Sequence, residues 1–213
     1  MEIIDDYLII ADLHIGVEDV LGLPFIDTSE VLMKKVERLL EASGASILVI
    51  AGDVRDGFDL NHRVLNKTKR FLEALSKLVD KIIIVRGNHD NFLRPIARKL
   101  NIERHEDSFA IGDTLITHGH KRPEAEFNRL IIGHIHPSVR IGNEVLPAKI
   151  IGEIEDKEIV ILPAMTPIAK TRRGPTVDFS TPLERDIKIK YGVVEIRGKR
   201  LFLDRKLILH ALL

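Results

Sequence analysis

Lys81-Ile82-Ile83-Ile84-Val85-Arg86-Gly87-Asn88-His89-Asp90 changes character in one step: an apolar run stops, and an amide, an imidazole and a carboxylate follow. The run has the length and β-branched content of a buried strand. In open α/β sheets ligands bind just outside the carboxyl ends of the strands, so the polar turn is where chemistry is expected. The same transition recurs along the chain. Leu8-Ile9-Ile10-Ala11 ends in Asp12-Leu13-His14, and Ile47–Ala51 ends in Gly52-Asp53-Val54-Arg55-Asp56. Thr114–Thr117 ends in His118-Gly119-His120, and Leu130-Ile131-Ile132 ends in Gly133-His134-Ile135-His136. Five strand ends thus each offer residues of metal-ligand type.

The segments between them read as helices. Asp27 and Glu30 have capping-box spacing. Leu32, Val36, Leu39, Leu40 and Ser43 then fall on one helical stripe, which Gly44 closes. A second amphipathic helix is expected over residues 63–79, with Thr68, Leu72, Leu75 and Val79 on one face, giving two consecutive βαβ units. A short helix past Asp90 takes Pro95 in its first turn and ends near Asn101. From Ser108 onward, short strands are separated by Gly112-Asp113, Gly142-Asn143, Asp156-Lys157 and Gly198-Lys199. They predict an antiparallel or mixed second half, with strands over residues 158–162, 187–196 and 200–203 and an irregular loop over 170–182.

With 213 residues and 45% hydrophobic content, the chain is expected to form a single domain over residues 1–213. Lys plus Arg and Asp plus Glu are 32 each, so no bulk positive field advertises a polyanionic partner. No apolar run reaches membrane-spanning length, and Met1-Glu2-Ile3-Ile4-Asp5-Asp6 lacks the basic start of a signal peptide, so a soluble, cytoplasmic protein is expected. The absence of Cys restricts any metal site to His, Asp, Glu and Asn. The absence of Gln and Trp, with 30% charged residues and many Ile, is the composition of a protein from a thermophilic source.

Singly, each motif is common. Together and in order, Asp12-x-His14, Gly52-Asp53-x-x-Asp56, Gly87-Asn88-His89-Asp90, His118-Gly119-His120 and Gly133-His134-x-His136 resemble the calcineurin-like metallophosphoesterases. Within them the set resembles the group related to the double-strand-break repair nucleases and their archaeal relatives. The resemblance implies an α/β fold, a four-layered α/β/β/α sandwich of two mixed β-sheets with helices outside. It also implies two divalent ions, Mn²⁺ first with Fe, Zn²⁺ or Ni²⁺ as alternatives, and hydrolysis of a phosphoester by a metal-bridging hydroxide. Two ions about 3.5–4 Å apart can bind the anionic oxygens of the ester and lower the pKa of a bridging water. Asp53 is the expected bridge, because the family places it in Gly-Asp-x-x-Asp and because a carboxylate has two oxygens to divide. Asp12, His14 and His136 would complete one ion, and Asn88, His118 and His134 the other. Mixed N/O coordination suits Mn²⁺, Fe or Zn²⁺ better than Ca²⁺ or Mg²⁺. The family's catalytic histidine maps onto His89, acting on the leaving oxygen, with Asp90 orienting it.

Asp56 has two readings, a residue behind the ligands or a cap for the loop, and His120 is likewise expected behind the ligands. Lys170, Arg172 and Arg173 either grip a substrate phosphate or form a solvated loop. His62, His105 and His210 lie outside the motifs and read as solvated or structural. Arg55 and Arg86, the cations within the motifs, are expected to point to solvent. The resemblance to nuclease-like members makes a phosphodiester the expected substrate, either single-stranded nucleic acid or a nucleotide; with about 40 residues after the basic loop, the DNA-capping domain of the repair nucleases is expected to be absent, which disfavours duplex DNA. A phosphomonoesterase on a nucleotide or small metabolite and a non-catalytic scaffold are the alternatives, the second disfavoured by the intact ligand set.

Overall fold

Two packed sheets are built from strands that alternate side chains between faces, so each apolar run supplies two layers at once. The computed structural model describes residues 1–23, 25–166, 168, 181–196 and 198–205. In order the elements are β1 (Glu2–Ile4), β2 (Tyr7–Ile10), α1 (Val17–Val20), α2 (Ser29–Ser43), β3 (Ile47–Ala51), α3 (His62–Leu75), β4 (Lys81–Val85), α4 (Arg94–Lys99) and β5 (Glu103–His105). There follow β6 (Ser108–Ile111), β7 (Thr114–Thr117), β8 (Arg129–Ile132), β9 (Ser138–Ile141), β10 (Glu144–Ile154), β11 (Lys157–Ile161), a 3-10 turn (Glu184–Asp186), β12 (Lys188–Ile196) and β13 (Lys199–Asp204).

The first sheet has the order β1-β2-β3-β4-β5, antiparallel at β1/β2 and parallel from β2 to β5. The second runs β13-β12-β10-β11-β8-β7-β6, with β9 paired to β10; it is parallel at β11/β8 and β8/β7 and antiparallel elsewhere. The strands that carry the five motifs lie within the parallel stretches, β2, β3 and β4 in one sheet and β7 and β8 in the other. Parallel strands end on the same edge, so the motifs of each sheet emerge side by side.

Ile9, Ala11, Val49, Ala51, Ile83 and Val85 face Ile116, Ile131, Val160 and Leu162 across the interior between the sheets. The alternate residues Leu8, Ile10, Leu48, Ile50, Ile82 and Ile84 pack under Leu32, Val36 and Leu40 of α2, Phe71 and Leu72 of α3 and Ala97 of α4. Burial on both faces is why these runs are unbroken apolar stretches rather than alternating ones. Among the described residues every α-helix precedes β5. The outer face of the second sheet, with Leu115, Leu130, Ile132, Ile159 and Ile161, is covered there by Ile135, Val139 and Leu183.

Local differences from the sequence reading have physical causes. α3 stops at Leu75, four residues short of the expected end: tight turns from Lys77 to Ala74 and from Leu78 to Leu75 break it, and they let the Asp80 amide reach Ser46 O at 2.9 Å to start β4. The capping box does not form. Asp27 accepts from Ser29 N at 2.9 Å, while the Thr28 hydroxyl donates to the buried Glu18 carboxylate at 2.9 Å, which also holds Lys67, and Glu30 pairs with Lys34 instead. Lys170, Arg172, Arg173 and His210 lie outside the described residues. No helix among those described is long and apolar enough to cross a membrane.

Because Ile83 sits between the sheets at 1% exposure, Ile83→Ala should cost about 2–5 kcal/mol in chemical denaturation. The Asn61 side chain caps α3 by accepting from Arg63 N and Val64 N, so Asn61→Ala should cost about 1 kcal/mol. A loss of less than about 1 kcal/mol for Ile83→Ala would mean that the sheets are not packed as described.

Candidate metal centre

The loops at the strand ends are held in an unusual backbone conformation. Asp12 (φ 57°), His14 (46°), Asp53 (50°), His134 (68°) and His136 (50°) all lie in the left-handed region. Each costs roughly 1–3 kcal/mol there and persists only when its surroundings over-determine it. The overdetermination is visible: β2/β3 pairing continues past the strand ends through Asp12 N to Gly52 O (3.1 Å), His14 N to Asp53 O (2.9 Å) and Ile15 N to Val54 O (3.0 Å). Beyond β11, Met165 N and Thr166 N reach Ala11 O and Asp12 O at 3.1 Å, returning that segment to the first loop. The motif glycines give close approach. A Cβ on Gly87 would lie 2.1 Å from Asp53 Oδ1, and one on Gly133 would lie 2.7 Å from Asp12 Oδ2.

On this frame the side chains converge. Asp12, His14 and His136 form one set, Asp53, His118 and His134 a second, and His14, Asp53 and His89 a third, the ligand atoms of each lying within 4.8 Å of one another. Asp53 belongs to two sets. Its Oδ2 is 3.3 Å from His118 Nε2, 3.6 Å from His14 Nε2 and 3.9 Å from His89 Nε2, and its Oδ1 accepts the His89 amide at 2.9 Å. Asp12 Oδ1 lies 3.3 Å from His136 Nε2, and Asp12 Oδ2 accepts the His134 amide at 2.9 Å. Asn88 Oδ1 is 3.0 Å from His118 Nε2, which brings it to the second set.

Partners behind the rings fix their direction. His118 Nδ1 donates to Ala51 O at 3.0 Å, so its Nε2 faces Asn88 and Asp53. His14 Nδ1 is 2.8 Å from Asp56 Oδ1, so its Nε2 faces inward, 3.2 Å from His136 Nε2. A carboxylate or carbonyl behind the ligating imidazole is the arrangement that orients ligands in metal sites, and it places the buried Asp56 behind His14. Burial alone would raise the carboxyls of Asp12 and Asp53; His136 beside Asp12 and His118 beside Asp53 outweigh it and hold both below the usual range. Burial would lower His118, but the Asp53 and Asp12 carboxylates keep it protonated up to about 9. Oxygen acceptors and imidazole nitrogens thus meet in a buried space that demands positive charge, which a proton or a metal ion can supply. The donor set, carboxylates, an amide oxygen and imidazoles, fits a borderline divalent ion.

The remaining residues of the motifs brace the site. Asp90 accepts from Gly87 N (2.8 Å), Val54 N (2.9 Å) and Arg55 N (3.4 Å), fastening the Gly87–Asp90 turn to the Asp53 loop. Its influence on His89 in these contacts runs through the main chain. Burial and the nearby Asp53 charge push its carboxyl up to about 6. Arg55, expected in solvent, is 0% exposed; it donates to His89 O (3.3 Å), Asn91 O (3.1 Å) and Asp59 O (2.8 Å). A charge in a sequence carries no sign of the three carbonyls that enclose it. Arg86 is likewise engaged, with Asn91 Oδ1 at 3.2 Å and Glu106 at 3.8 Å. The His120 ring lies tilted beside His118, centroids 5.1 Å apart, and burial and the His118 charge lower its pKa to about 4. Phe58, which the sequence did not mark, lays its ring on His89 with centroids 4.2 Å apart and is 57% exposed. His62 stands exposed at the start of α3, and His105 pairs with Glu103 at 2.6 Å.

Among solved structures, the Pseudomonas putida nuclease MPE matches with 20% identity and a TM-score of 0.58, over 93% of this chain and 87% of that one, and so shares the fold. Yfce, a phosphoesterase from E. coli, matches with 19% identity and a TM-score of 0.44 over 90% and 88% of the two chains. No curated protein sequence matches the chain. The sequence model of the calcineurin-like phosphoesterases spans residues 6–196, which contain all five motifs, and the chain therefore belongs to the calcineurin-like phosphoesterase family.

Proposed function

We propose that the chain is a phosphodiesterase dependent on two divalent ions, Mn²⁺ by preference, whose substrate is single-stranded nucleic acid or a nucleotide diester. The observation that carries this reading is Asp53, whose Oδ2 lies 3.6 Å from His14 Nε2 on one side and 3.3 Å from His118 Nε2 on the other. Asp12, His14 and His136 would hold one ion and Asn88, His118 and His134 the other, with Asp53 shared. Bound there, the ions would supply charge to offset the ester's anionic oxygens and would acidify a water.

The protein's own groups do the rest. Asp56 and Ala51 O aim His14 and His118 inward, and Asp90 and Arg55 hold the turn that presents His89. His89 is the group we assign to proton delivery at the leaving oxygen: its side chain is 14% exposed at the edge of the donor cluster, with Nδ1 3.6 Å from Asp56 Oδ1 and Nε2 towards Asp53. Preference for a diester is supported by the disposition of the motif cations. A monoester dianion calls for side-chain cations beside the metals, yet Arg55 is spent on carbonyls and Arg86 on Asn91 and Glu106.

With Mn²⁺, kcat/KM for bis(p-nitrophenyl) phosphate should exceed that for p-nitrophenyl phosphate; a clear preference for the monoester would transfer the protein to the phosphatases. Asp53→Ala should leave a folded chain that has lost both ions by elemental analysis, while His62→Ala keeps them; two metals retained by Asp53→Ala would refute the shared ligand. His89→Asn should lower kcat by about 10²–10⁴-fold at unchanged metal content. Loss of metal in that variant would make His89 a ligand, and an unchanged rate would remove it from the chemistry.

A further inference from the structure

The chain is neutral overall, so a strong local excess of one charge needs an explanation. Arg86, Arg94, Arg98 and Arg104 are separated in sequence and gather beside α4 and β5. Three of them share one carboxylate: Glu106 takes Arg86 at 3.8 Å, Arg94 at 2.5 Å and also Arg104. Arg98 has no acidic partner among the described residues and lines, with Arg94, Arg104, Ala97, Ile102 and Glu106, a depression of about 300 Å³. Neighbouring acids are already committed, Glu103 to Lys81 and His105 and Asp107 to Lys121. Arg104 is nearly buried and its Nε lacks a hydrogen-bond partner among the described residues. A clamp holding α4 to β5 would need about one carboxylate per cation; this cluster has one for three arginines, plus Arg98.

The cluster is continuous with the candidate centre. Arg86 immediately precedes Gly87-Asn88-His89 and donates to Asn91 Oδ1 at 3.2 Å; Asn91 Nδ2 donates in turn to Phe58 O at 3.4 Å; and the Phe58 ring lies on His89. Phe58 gives one face to His89 and leaves much of its surface to solvent.

We propose that this strip binds single-stranded nucleic acid, with a base stacked on Phe58 next to the reacting phosphate and a flanking phosphate seated among Arg94, Arg98 and Arg104. Guanidinium forks match the paired oxygens of a phosphodiester. An exposed aromatic face stacks an unpaired base in any sequence, whereas duplex bases are already stacked on one another. The identity of the bond that is cut rests on the phosphodiesterase reading; binding to the strip does not, and the two are tested separately.

The test is the anisotropy of a fluorescein-labelled oligothymidylate, titrated with the intact chain at a series of salt concentrations. Arg94→Ala/Arg98→Ala, which removes two exposed side chains, should weaken binding roughly tenfold and lower the salt slope by about 0.7, the share of the one single-strand phosphate they hold. Its turnover of bis(p-nitrophenyl) phosphate should stay within about twofold of the parent, since neither arginine touches the centre. Phe58→Ala should weaken binding by about fivefold or more, and Phe58→Tyr should restore it. An unchanged affinity and salt slope in the double variant would overturn the proposal, as would an equal loss of small-diester turnover, which would make the arginines structural. Equal or tighter binding of a duplex of the same length would overturn the single-strand assignment. If the parent binds the oligonucleotide but hydrolyses neither nitrophenyl ester, the phosphodiesterase reading fails and the binding strip stands.

Discussion

Two carboxylates, Asp12 and Asp53, are buried within reach of one another's imidazole partners, and that concentration of negative charge constrains everything around it. A carboxylate removed from water costs several kcal/mol unless a cation or a set of donors replaces the hydration it loses. The chain answers with backbone amides from His89 and His134, with imidazoles from four strand ends, and with a buried space that protons or metal ions fill. The left-handed backbone at five of these residues is the structural consequence. Such strain is tolerated only where loops cannot relax, and here they are laced by hydrogen bonds that extend the sheet pairing beyond the strands.

The buried Arg55 belongs to the same account. Its guanidinium has no substrate to meet; it replaces solvent for the carbonyls of His89, Asn91 and Asp59 and holds the turn that Asp90 ties from the other side. One cation and one carboxylate, adjacent to the centre and outside the donor sets, therefore stiffen the loop on which His89 stands. Preorganisation of this kind is how an exposed loop acquires the precision of a strand.

Much of the fold was legible because β2, β3, β4, β7 and β8 are buried on both faces, which leaves an unbroken apolar run that stops abruptly at a polar turn. The i,i+2 pairs Asp12/His14 and His134/His136 were legible for the same reason: each begins within two residues of its run's end. The end of α3 was not, since Val79 continues the helical stripe while the chain needs a tight turn to place Asp80 against Ser46. Nor was the start of α2, where Glu18, ten residues away, claims the Thr28 hydroxyl. Arg55 and Phe58 were invisible for a different reason. Their surroundings are assembled from carbonyls and a ring that only the folded chain brings together, so composition and spacing hold no trace of them.

The two sheets make unequal contributions to the candidate centre. The loops after β2, β3 and β4 supply every oxygen donor, Asp12, Asp53 and Asn88, along with His14, whereas the loops after β7 and β8 supply only imidazoles, His118, His134 and His136. Each donor set except the one containing His89 crosses between sheets. Neither sheet alone can assemble an inter-sheet set, so those sets depend on the packing of Ile9, Val49 and Ile83 against Ile116, Ile131 and Val160. Any cation held across that boundary binds the native packing and not the separated sheets, and its binding free energy is added to the stability of the sandwich. The site is thus part of what joins the two halves of the fold, which accounts for a chain that keeps charged and strained residues at the place where a hydrophobic seam would be simpler.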